Sequence, residues 1–113
     1  MDLQILESAG SRELDRMVEN AQRATDFLKA LSHESRLMIL CILTEGEKSV
    51  GELEKILALR QPTVSQQLAR LRADKLVATR RDGKTVYYSL ASDDARVIIG
   101  AIYNVFCKKT RKK

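Results

Sequence analysis

The feature that most constrains this chain is a capped helix followed, after a short break, by a second helix that begins at a proline. Ser49, with Glu52 three residues later, predicts a capping box, in which each side chain bonds the other residue's backbone N–H. The apolar residues that follow share one helical face: Val50, Leu53, Ile56 and Leu57. Residues 58–60 form the expected turn, and Pro62 suits the first turn of the next helix because its missing N–H needs no partner there.

The second helix has an apolar side and a polar side. The residues expected to face the core are Val64, Leu68 and Leu71. The polar residues are amides, hydroxyls and a guanidinium: Gln61, Thr63, Ser65, Gln66, Gln67 and Arg70. Such side chains can pair with base edges in the major groove, Gln with adenine and Arg with guanine. A solvated surface helix has a similar composition, so this helix alone does not decide between the two interpretations.

A predicted β-hairpin follows the second helix and favours DNA binding. Residues 76–81 and 84–90 flank Asp82-Gly83, a dipeptide typical of a type I′ turn. The basic residues near its tip are Arg80, Arg81 and Lys84. A basic hairpin beside a polar helix is suited to holding phosphates, which contributes affinity and register more than sequence choice. Helix, turn, helix and hairpin in this order predict a winged helix-turn-helix.

The distribution of charge supports the same interpretation. The net charge is +5, but residues 108–113 alone hold five basic groups, so the total is uninformative. Between residues 60 and 84 there are seven basic and two acidic residues, which is the local excess expected of a DNA-binding face. We expect a flexible N-terminus at residues 1–10, one domain at residues 11–107 and a basic tail at residues 108–113.

Two predicted helices precede this segment, and the whole domain is expected to be mainly α. The first begins at Ser11 and carries an apolar stripe that needs a partner, such as a second subunit. That stripe is formed by Leu14, Met17, Val18, Ala21, Ala24, Leu28 and Leu31. The second helix, at about residues 34–44, is apolar nearly all round and should be the buried centre, with Gly46 as its C-cap. His33 should hydrogen-bond the local backbone at the start of this helix.

The last predicted helix follows the hairpin and completes the order of five helices with the hairpin between the fourth and the fifth. Ser92 is its expected cap, and Lys108 and Lys109 are expected in its last turn. One side of it carries an apolar stripe of Ile98, Ala101, Ile102 and Val105. The opposite side carries Gly100, Tyr103 and Cys107. Two such sides predict packing on a partner subunit and on the helix's own core.

Three runs of the sequence resemble the ArsR family of bacterial winged-helix repressors. They are ALSHESRLMIL at residues 30–40, LRQPTVSQQLARLRADKLV at 59–77 and RRDGKTVYYSL at 80–90. The similarity covers about residues 12–107. The resemblance implies a homodimer held by the first and last helices, which binds double-stranded operator DNA as a repressor and releases it when an inducer binds.

The metal sites of that family do not match this sequence. Its metal sensors carry a cysteine motif in the helix at residues 50–57, or aspartate and histidine ligands on the last helix. Val50, Gly51 and Glu52 stand where the thiolates would be, and the last helix has no histidine. Zinc, arsenic and cadmium sites need three or four soft or imidazole ligands. We therefore expect no metal and no cofactor.

Cys41 and Cys107 instead look like the dithiol of the family's persulfide-responsive subgroup, typified by SqrR and BigR, with SqrR the nearer match. This resemblance implies that the reduced form binds DNA. Reactive sulfur species such as glutathione persulfide would then bridge the two sulfurs by a di- or polysulfide and release the operator. Tyr103 and Gly100 are expected near this sensor site. Cysteines that pack as small hydrophobic residues are the alternative.

Other functions remain open at the level of the sequence. A metal or peroxide sensor would use the same two cysteines in the same repressor, and an architectural DNA binder would ignore the thiol state. A thiol oxidoreductase would show Cys-x-x-Cys spacing, and the 66-residue separation of the cysteines argues against an enzyme. No apolar run approaches the ~20 residues of a membrane span, and the N-terminus lacks a signal-peptide pattern. We expect a cytoplasmic protein without a membrane partner, where thiols are normally reduced.

Overall fold

The computed structural model describes residues 11–107, with Cys107 described by its backbone alone. The elements in chain order are α1 (Ser11–Leu31), α2 (Glu34–Leu43), β1 (Lys48–Ser49), α3 (Val50–Leu57), α4 (Gln61–Ala73), β2 (Val77–Asp82), β3 (Thr85–Leu90), α5 (Asp93–Ile102) and a π-helical turn (Tyr103–Cys107). The predicted flexible N-terminus, the basic tail, and Lys108 and Lys109 lie outside the described residues. Within residues 11–107, every helix is too short or too polar to span a bilayer.

Helix α1 belongs to the first of two compact units, which ends at Ser32. The long helix is as predicted, although Ser11 already lies within it and not before it. Its end is closed by Ser32, whose backbone N–H and Oγ both donate to the carbonyl oxygen of Lys29, at 3.1 and 2.8 Å. Three residues of the predicted apolar stripe are about half exposed in the single chain: Leu14, Val18 and Leu28.

The second unit begins at His33 and is built around α2, as the sequence predicts. Helix α2 packs against α4, β3 and α5, and its residues Ile39, Leu40 and Leu43 are almost completely buried. Other elements contribute Leu53, Val64, Leu68, Leu71 and Ile99 to this core. Four elements thus bury their largest apolar side chains together.

Both ends of α2 are closed by local hydrogen bonds. His33 is the N-cap, and its Nδ1 accepts from the backbone N–H of Ser35 at 3.3 Å, which confirms the predicted local role of this histidine. The predicted C-cap at Gly46 is wrong. Thr44 is the C-cap, because both its N–H and its Oγ1 donate to the carbonyl oxygen of Cys41, and the helix therefore stops at Leu43.

Helices α3 and α4 follow the predicted pattern closely. The capping box is confirmed, with Ser49 Oγ accepting from the N–H of Glu52 at 3.1 Å and the Glu52 carboxylate accepting from the N–H of Ser49 at 2.8 Å. Ala58, in the left-handed region at φ 55°, turns the chain between the two helices. Ile56 differs from the expectation, because it is about half exposed although it was predicted on the buried face.

The end of α4 is a Schellman motif that the sequence did not predict. Lys75 takes the left-handed conformation at φ 63° and donates its N–H to the carbonyl oxygen of Arg72, at 2.9 Å. The N–H of Leu76 reaches the carbonyl oxygen of Leu71 at 2.9 Å, and the Leu76 side chain is buried. This arrangement satisfies the last carbonyls of the helix and directs the chain into β2.

The sheet has three strands in the order β1-β3-β2, whereas the sequence predicted a hairpin of two. Strand β1 is too short to show a period, and it pairs antiparallel with Tyr87 and Tyr88 of β3. The predicted turn at Asp82-Gly83 is also wrong, because Asp82 pairs with Thr85 and the two turn residues are Gly83-Lys84. Gly83 has φ 66° and Lys84 is not in the left-handed region, which fits a type II′ turn and not type I′.

Helix α5 begins at the predicted cap, where Ser92 Oγ accepts from the N–H of Ala95 at 3.1 Å. Its buried residues are Ala95 and Ile99, which the sequence analysis did not assign to the core. The predicted stripe is mostly on the outside, since Ile98 and Ala101 are exposed. Val105 and Phe106 of the π-helical turn are exposed to 64% and 79%. An apolar face of this helix therefore lacks cover in the single chain.

Candidate nucleic-acid interface and cysteine pair

The polar side of α4 forms a continuous exposed surface. Val64, Leu68 and Leu71 are completely buried, as predicted, so the opposite residues of the helix must face away from the core. The exposed members of the predicted reading set are Gln61, Thr63, Ser65, Gln66 and Arg70. Within this set Arg70 lies 3.7 Å from Asp74 one turn later, and its side chain is 63% exposed. A pair so exposed is weak, and it leaves Arg70 available to DNA.

Gln67 differs from the other predicted reading residues because it is half-buried and bonded within the protein. Its Oε1 accepts from Nε of Arg36 on α2 at 3.0 Å. The two residues are 31 positions apart in sequence, so no local pattern indicates this contact. The bond joins the central helix of the core to the flank of α4.

Arg80 is held on the sheet and is not at the tip of the hairpin. Its Nε lies 3.0 and 3.1 Å from the two carboxylate oxygens of Glu47, and its Nη2 makes a further contact with Glu47. The guanidinium also lies over the ring of Tyr87, 4.7 Å from the ring centre. The hydrogen bond from Arg80 lowers the pKa of Glu47, and the same bond raises the pKa of Arg80. We call these three residues the Arg80 latch.

Arg81 and Lys84 occupy the position at the hairpin tip that was predicted for all three basic residues. Arg81 lies next to the last strand pair and Lys84 lies in the turn, and both are exposed. Among residues 11–107, no ion pair is formed by either of them. The two cations at the tip are therefore better placed for phosphates than Arg80.

Cys41 lies in the middle of the core, on α2, and is 7% exposed. Helix α2 packs against α5, and α5 continues directly into the π-helical turn that ends at Cys107. Gly100 and Tyr103 of this last segment are half-buried, and the space beside the Cα of Gly100 is open. The fold thus brings the helices that lead to the two cysteines into contact. The described ranges contain no cluster of three or more potential metal ligands.

Three residues of this region were missed by the sequence analysis: Arg36, Glu47 and Tyr87. Arg36 and Glu47 contact site residues 31 and 33 positions away, and Tyr87 lies opposite Arg80 on the neighbouring strand of the hairpin. The two-residue strand beside Glu47 is too short to show a period in the sequence. A contact of this kind depends on tertiary packing, which hydrophobic period and turn chemistry do not encode.

Comparison with known proteins agrees with this architecture. Residues 33–79 match the family described as bacterial regulatory protein, arsR family. The biofilm growth-associated repressor of Agrobacterium fabrum is 48% identical over 98 residues, which cover 87% of this chain and 84% of that protein. The crystal structure of the transcriptional repressor BigR from Xylella fastidiosa is 42% identical with a TM-score of 0.78, covering 88% of this chain and 98% of the other.

A second similar structure is that of a regulator in its reduced state. Reduced HlyU from Vibrio cholerae is 43% identical with a TM-score of 0.78, covering 82% of this chain and 98% of the other. These matches extend well beyond the helix-turn-helix and include the BigR type of regulator, whereas the nearer likeness to SqrR stays a prediction. The chain belongs to the ArsR family of winged helix-turn-helix regulators and is a DNA-binding transcriptional regulator, not an enzyme.

Proposed function

We propose that this protein is a dithiol-gated repressor that binds double-stranded operator DNA as a homodimer and releases it when Cys41 and Cys107 are joined by a di- or polysulfide bridge. The observation that carries the proposal is the packing of α2, which holds Cys41, against α5, which leads to Cys107. A covalent link there would act on the core and on the last helix together. The inducers are persulfides or polysulfides such as glutathione persulfide.

The DNA-binding face of the proposal consists of α4 and the tip of the hairpin. The exposed amides, hydroxyls and guanidinium of α4 offer donors and acceptors to base edges in the major groove. Arg81 and Lys84 at the tip would contact phosphates, which adds affinity without sequence choice. In this arrangement the helix selects the sequence and the hairpin adds affinity.

The homodimer is supported by apolar surface that the single chain leaves uncovered. On α1 the exposed residues are Leu14, Val18 and Leu28, and on α5 and the π-helical turn they are Val97, Ile98, Val105 and Phe106. Monomeric soluble proteins rarely expose large contiguous apolar patches, so each of these two helix faces is a candidate contact with a partner subunit. A two-fold dimer would place two copies of α4 on the half-sites of a symmetric operator.

The proposed chemistry requires no oxidant other than the persulfide. One cysteine thiolate attacks the outer sulfur of glutathione persulfide, which transfers that sulfur and releases glutathione. The second cysteine thiolate then attacks the cysteine-bound sulfur of the new persulfide, so that a disulfide forms and hydrosulfide leaves. If further persulfides first extend the chain by one sulfur each, attack on the next-to-last sulfur leaves a longer bridge and again releases hydrosulfide. Two thiols are oxidised, and one sulfane sulfur is reduced.

Such a restraint would act on the π-helical turn that ends at Cys107. A π-helical turn, in which the hydrogen bonds join residues five positions apart, is rare and often occurs at functional sites. A bridge that shifts this turn would move the uncovered face of α5, on which we place the dimer contact. A tenfold loss of operator affinity needs a difference of only about 1.4 kcal/mol between the two states.

The proposal is tested on the reduced full-length protein by mass spectrometry and by operator binding in parallel. Treatment with glutathione persulfide should join Cys41 to Cys107, either as a disulfide or through added whole sulfur atoms, and release the DNA. Treatment with peroxide, zinc or cadmium should leave the DNA bound. Release by peroxide with the loss of two hydrogens and no added sulfur, or release by a metal, would show that the same cysteines sense another signal and would overturn the persulfide assignment.

A further inference from the structure

The hydrogen bond between Arg36 and Gln67 has a consequence for how this protein reads DNA. Gln67 lies on the flank of α4, next to the exposed reading residues, and Arg36 lies in the first turn of α2. Both side chains are half-buried, and Nε of Arg36 donates to Oε1 of Gln67 at 3.0 Å. A hydrogen bond from a charged donor, such as this guanidinium, is stronger than one between two neutral groups.

This contact fixes which end of the Gln67 amide faces the core. A guanidinium has five N–H donors and no acceptor, so the amide atom that faces Arg36 has to be the oxygen. The amide nitrogen with its two hydrogens must then point away from Arg36. Rotating the amide by half a turn would set N–H groups against the N–H of Arg36 and break the bond.

The orientation of the amide decides which bases Gln67 can recognise. The usual pairing of glutamine with adenine needs both ends of the amide, since the oxygen accepts from N6 while the nitrogen donates to N7. Because the oxygen is turned toward Arg36 on α2, the NH2 group is the end of the amide that faces away from α2, and Gln67 presents a donor. Guanine offers two neighbouring acceptors, N7 and O6, to such a donor, whereas adenine would leave its N6 amino group without a partner.

We propose that Arg36 is a positioning residue that presents Gln67 to the major groove as a donor, so that Gln67 selects guanine over adenine at one position of each half-site. This inference rests on the proposed DNA-binding role of α4. It concerns specificity, because Arg36 itself acts through Gln67 and need not touch DNA. It also assigns a role to a side chain on the helix that carries Cys41.

The test is the selection of bound duplexes from random-sequence DNA by the reduced full-length protein, followed by affinity measurement at each operator position. Gln67→Ala should remove the guanine preference at one position of each half-site. Arg36→Ala should raise adenine relative to guanine at that same position, by about threefold to tenfold, the range of one hydrogen bond. The other positions should keep their preferences in both variants.

Gln67→Glu is the most informative variant, because a carboxylate can keep the bond to Arg36 and yet presents an acceptor to the DNA. The preferred base should then change to cytosine, whose N4 amino group donates. Arg96→Ala is the matched control, since Arg96 is exposed on α5 and its loss removes the same charge. The control should weaken binding uniformly and leave every base preference unchanged.

The outcomes separate this inference from the proposed function. If Arg36→Ala keeps the parent's base preferences, or weakens all positions equally, Arg36 does not position Gln67 and the inference is wrong. If Arg36→Ala does not fold, the change to cytosine in Gln67→Glu supports the inference and its absence overturns it. If the parent selects no sequence from the library, the DNA-binding role of α4 falls first.

Discussion

The Arg80 latch leads to a quantitative prediction about the hairpin, because the three basic residues that look equivalent in sequence differ in the structure. Arg80 is bonded to Glu47 and lies over Tyr87, whereas Arg81 and Lys84 are exposed at the tip. We therefore expect Arg81 and Lys84 to contact phosphates and Arg80 to hold the sheet. Two variants test this by replacing basic residues with Gln. One is Arg80→Gln alone, and the other is the double variant Arg81→Gln with Lys84→Gln.

The magnitude follows from the release of counterions. Each phosphate contact to duplex DNA contributes about 0.9 to the slope of log affinity against log salt. Two contacts in each of two protomers make four per dimer, so the double variant should lose about 3.6 from that slope. Between 50 and 200 mM salt, the parent's affinity should accordingly fall about 150-fold more than that of the double variant. Arg80→Gln should change the slope by less than about 1.

The assay is fluorescence anisotropy with a labelled operator duplex at several salt concentrations, with the exposed Arg96→Gln as a control for net charge. A slope in Arg80→Gln as low as that of the double variant would show that Arg80 leaves Glu47 to contact DNA. An unchanged slope in the double variant would show that the tip does not touch phosphates.

Three further changes test the fold and the latch. Leu68→Ala, at a completely buried position of α4, should cost about 2–5 kcal/mol of unfolding free energy in urea, and a loss below 1 kcal/mol would contradict its place in the core. Ser49→Ala should lower the free energy of unfolding by about 0.5–2 kcal/mol because it removes the capping box. Glu52→Ala should lower it by no more than that amount. The carboxylate of Glu47 should titrate below its ordinary value of 4.5, so the latch is complete above that pH and opens as the pH falls through the lowered pKa. In Arg80→Gln an NMR titration should find the Glu47 pKa moved upward, and no movement would disprove the latch.

Local rules were sufficient for most of the helices. The capping box at Ser49, the cap at Ser92 and the buried residues of α4 could be predicted because each depends on residues within one or two turns. The local rules gave wrong predictions where two local signals competed. Gly46 looked like a helix end, but the Thr44 hydroxyl closed the helix first, and the Asp82-Gly83 pair looked like a turn although the cross-strand register placed the turn one residue later.

The parts of the site that depend on distant contacts could not be predicted. Nothing near Gln67 indicates that its amide is bonded to Arg36, and nothing near Arg80 indicates the carboxylate of Glu47. Both contacts join residues more than 30 positions apart, and both change the role of a residue that had been identified correctly by type. Amino-acid type indicated which side chains suit DNA, and tertiary packing decides which of them are available.

Single serine substitutions test most directly whether the sulfurs of Cys41 and Cys107 act as one switch. Serine nearly preserves the volume of a thiol, so reduced Cys41→Ser and Cys107→Ser should bind operator like the parent, apart from a stability cost of about 1–3 kcal/mol at the buried Cys41 if its hydroxyl finds no partner. Cys41→Ala serves as the companion variant without a hydroxyl.

Operator release by glutathione persulfide is monitored by fluorescence anisotropy. The parent and each single variant start from the same reduced conditions. The parent should lose at least about tenfold in affinity, equivalent to about 1.4 kcal/mol. Each variant should remain bound because no bridge can close, even when its remaining cysteine gains sulfur. Release of DNA by either single variant to the extent seen in the parent would show that Cys41 and Cys107 do not act as a pair.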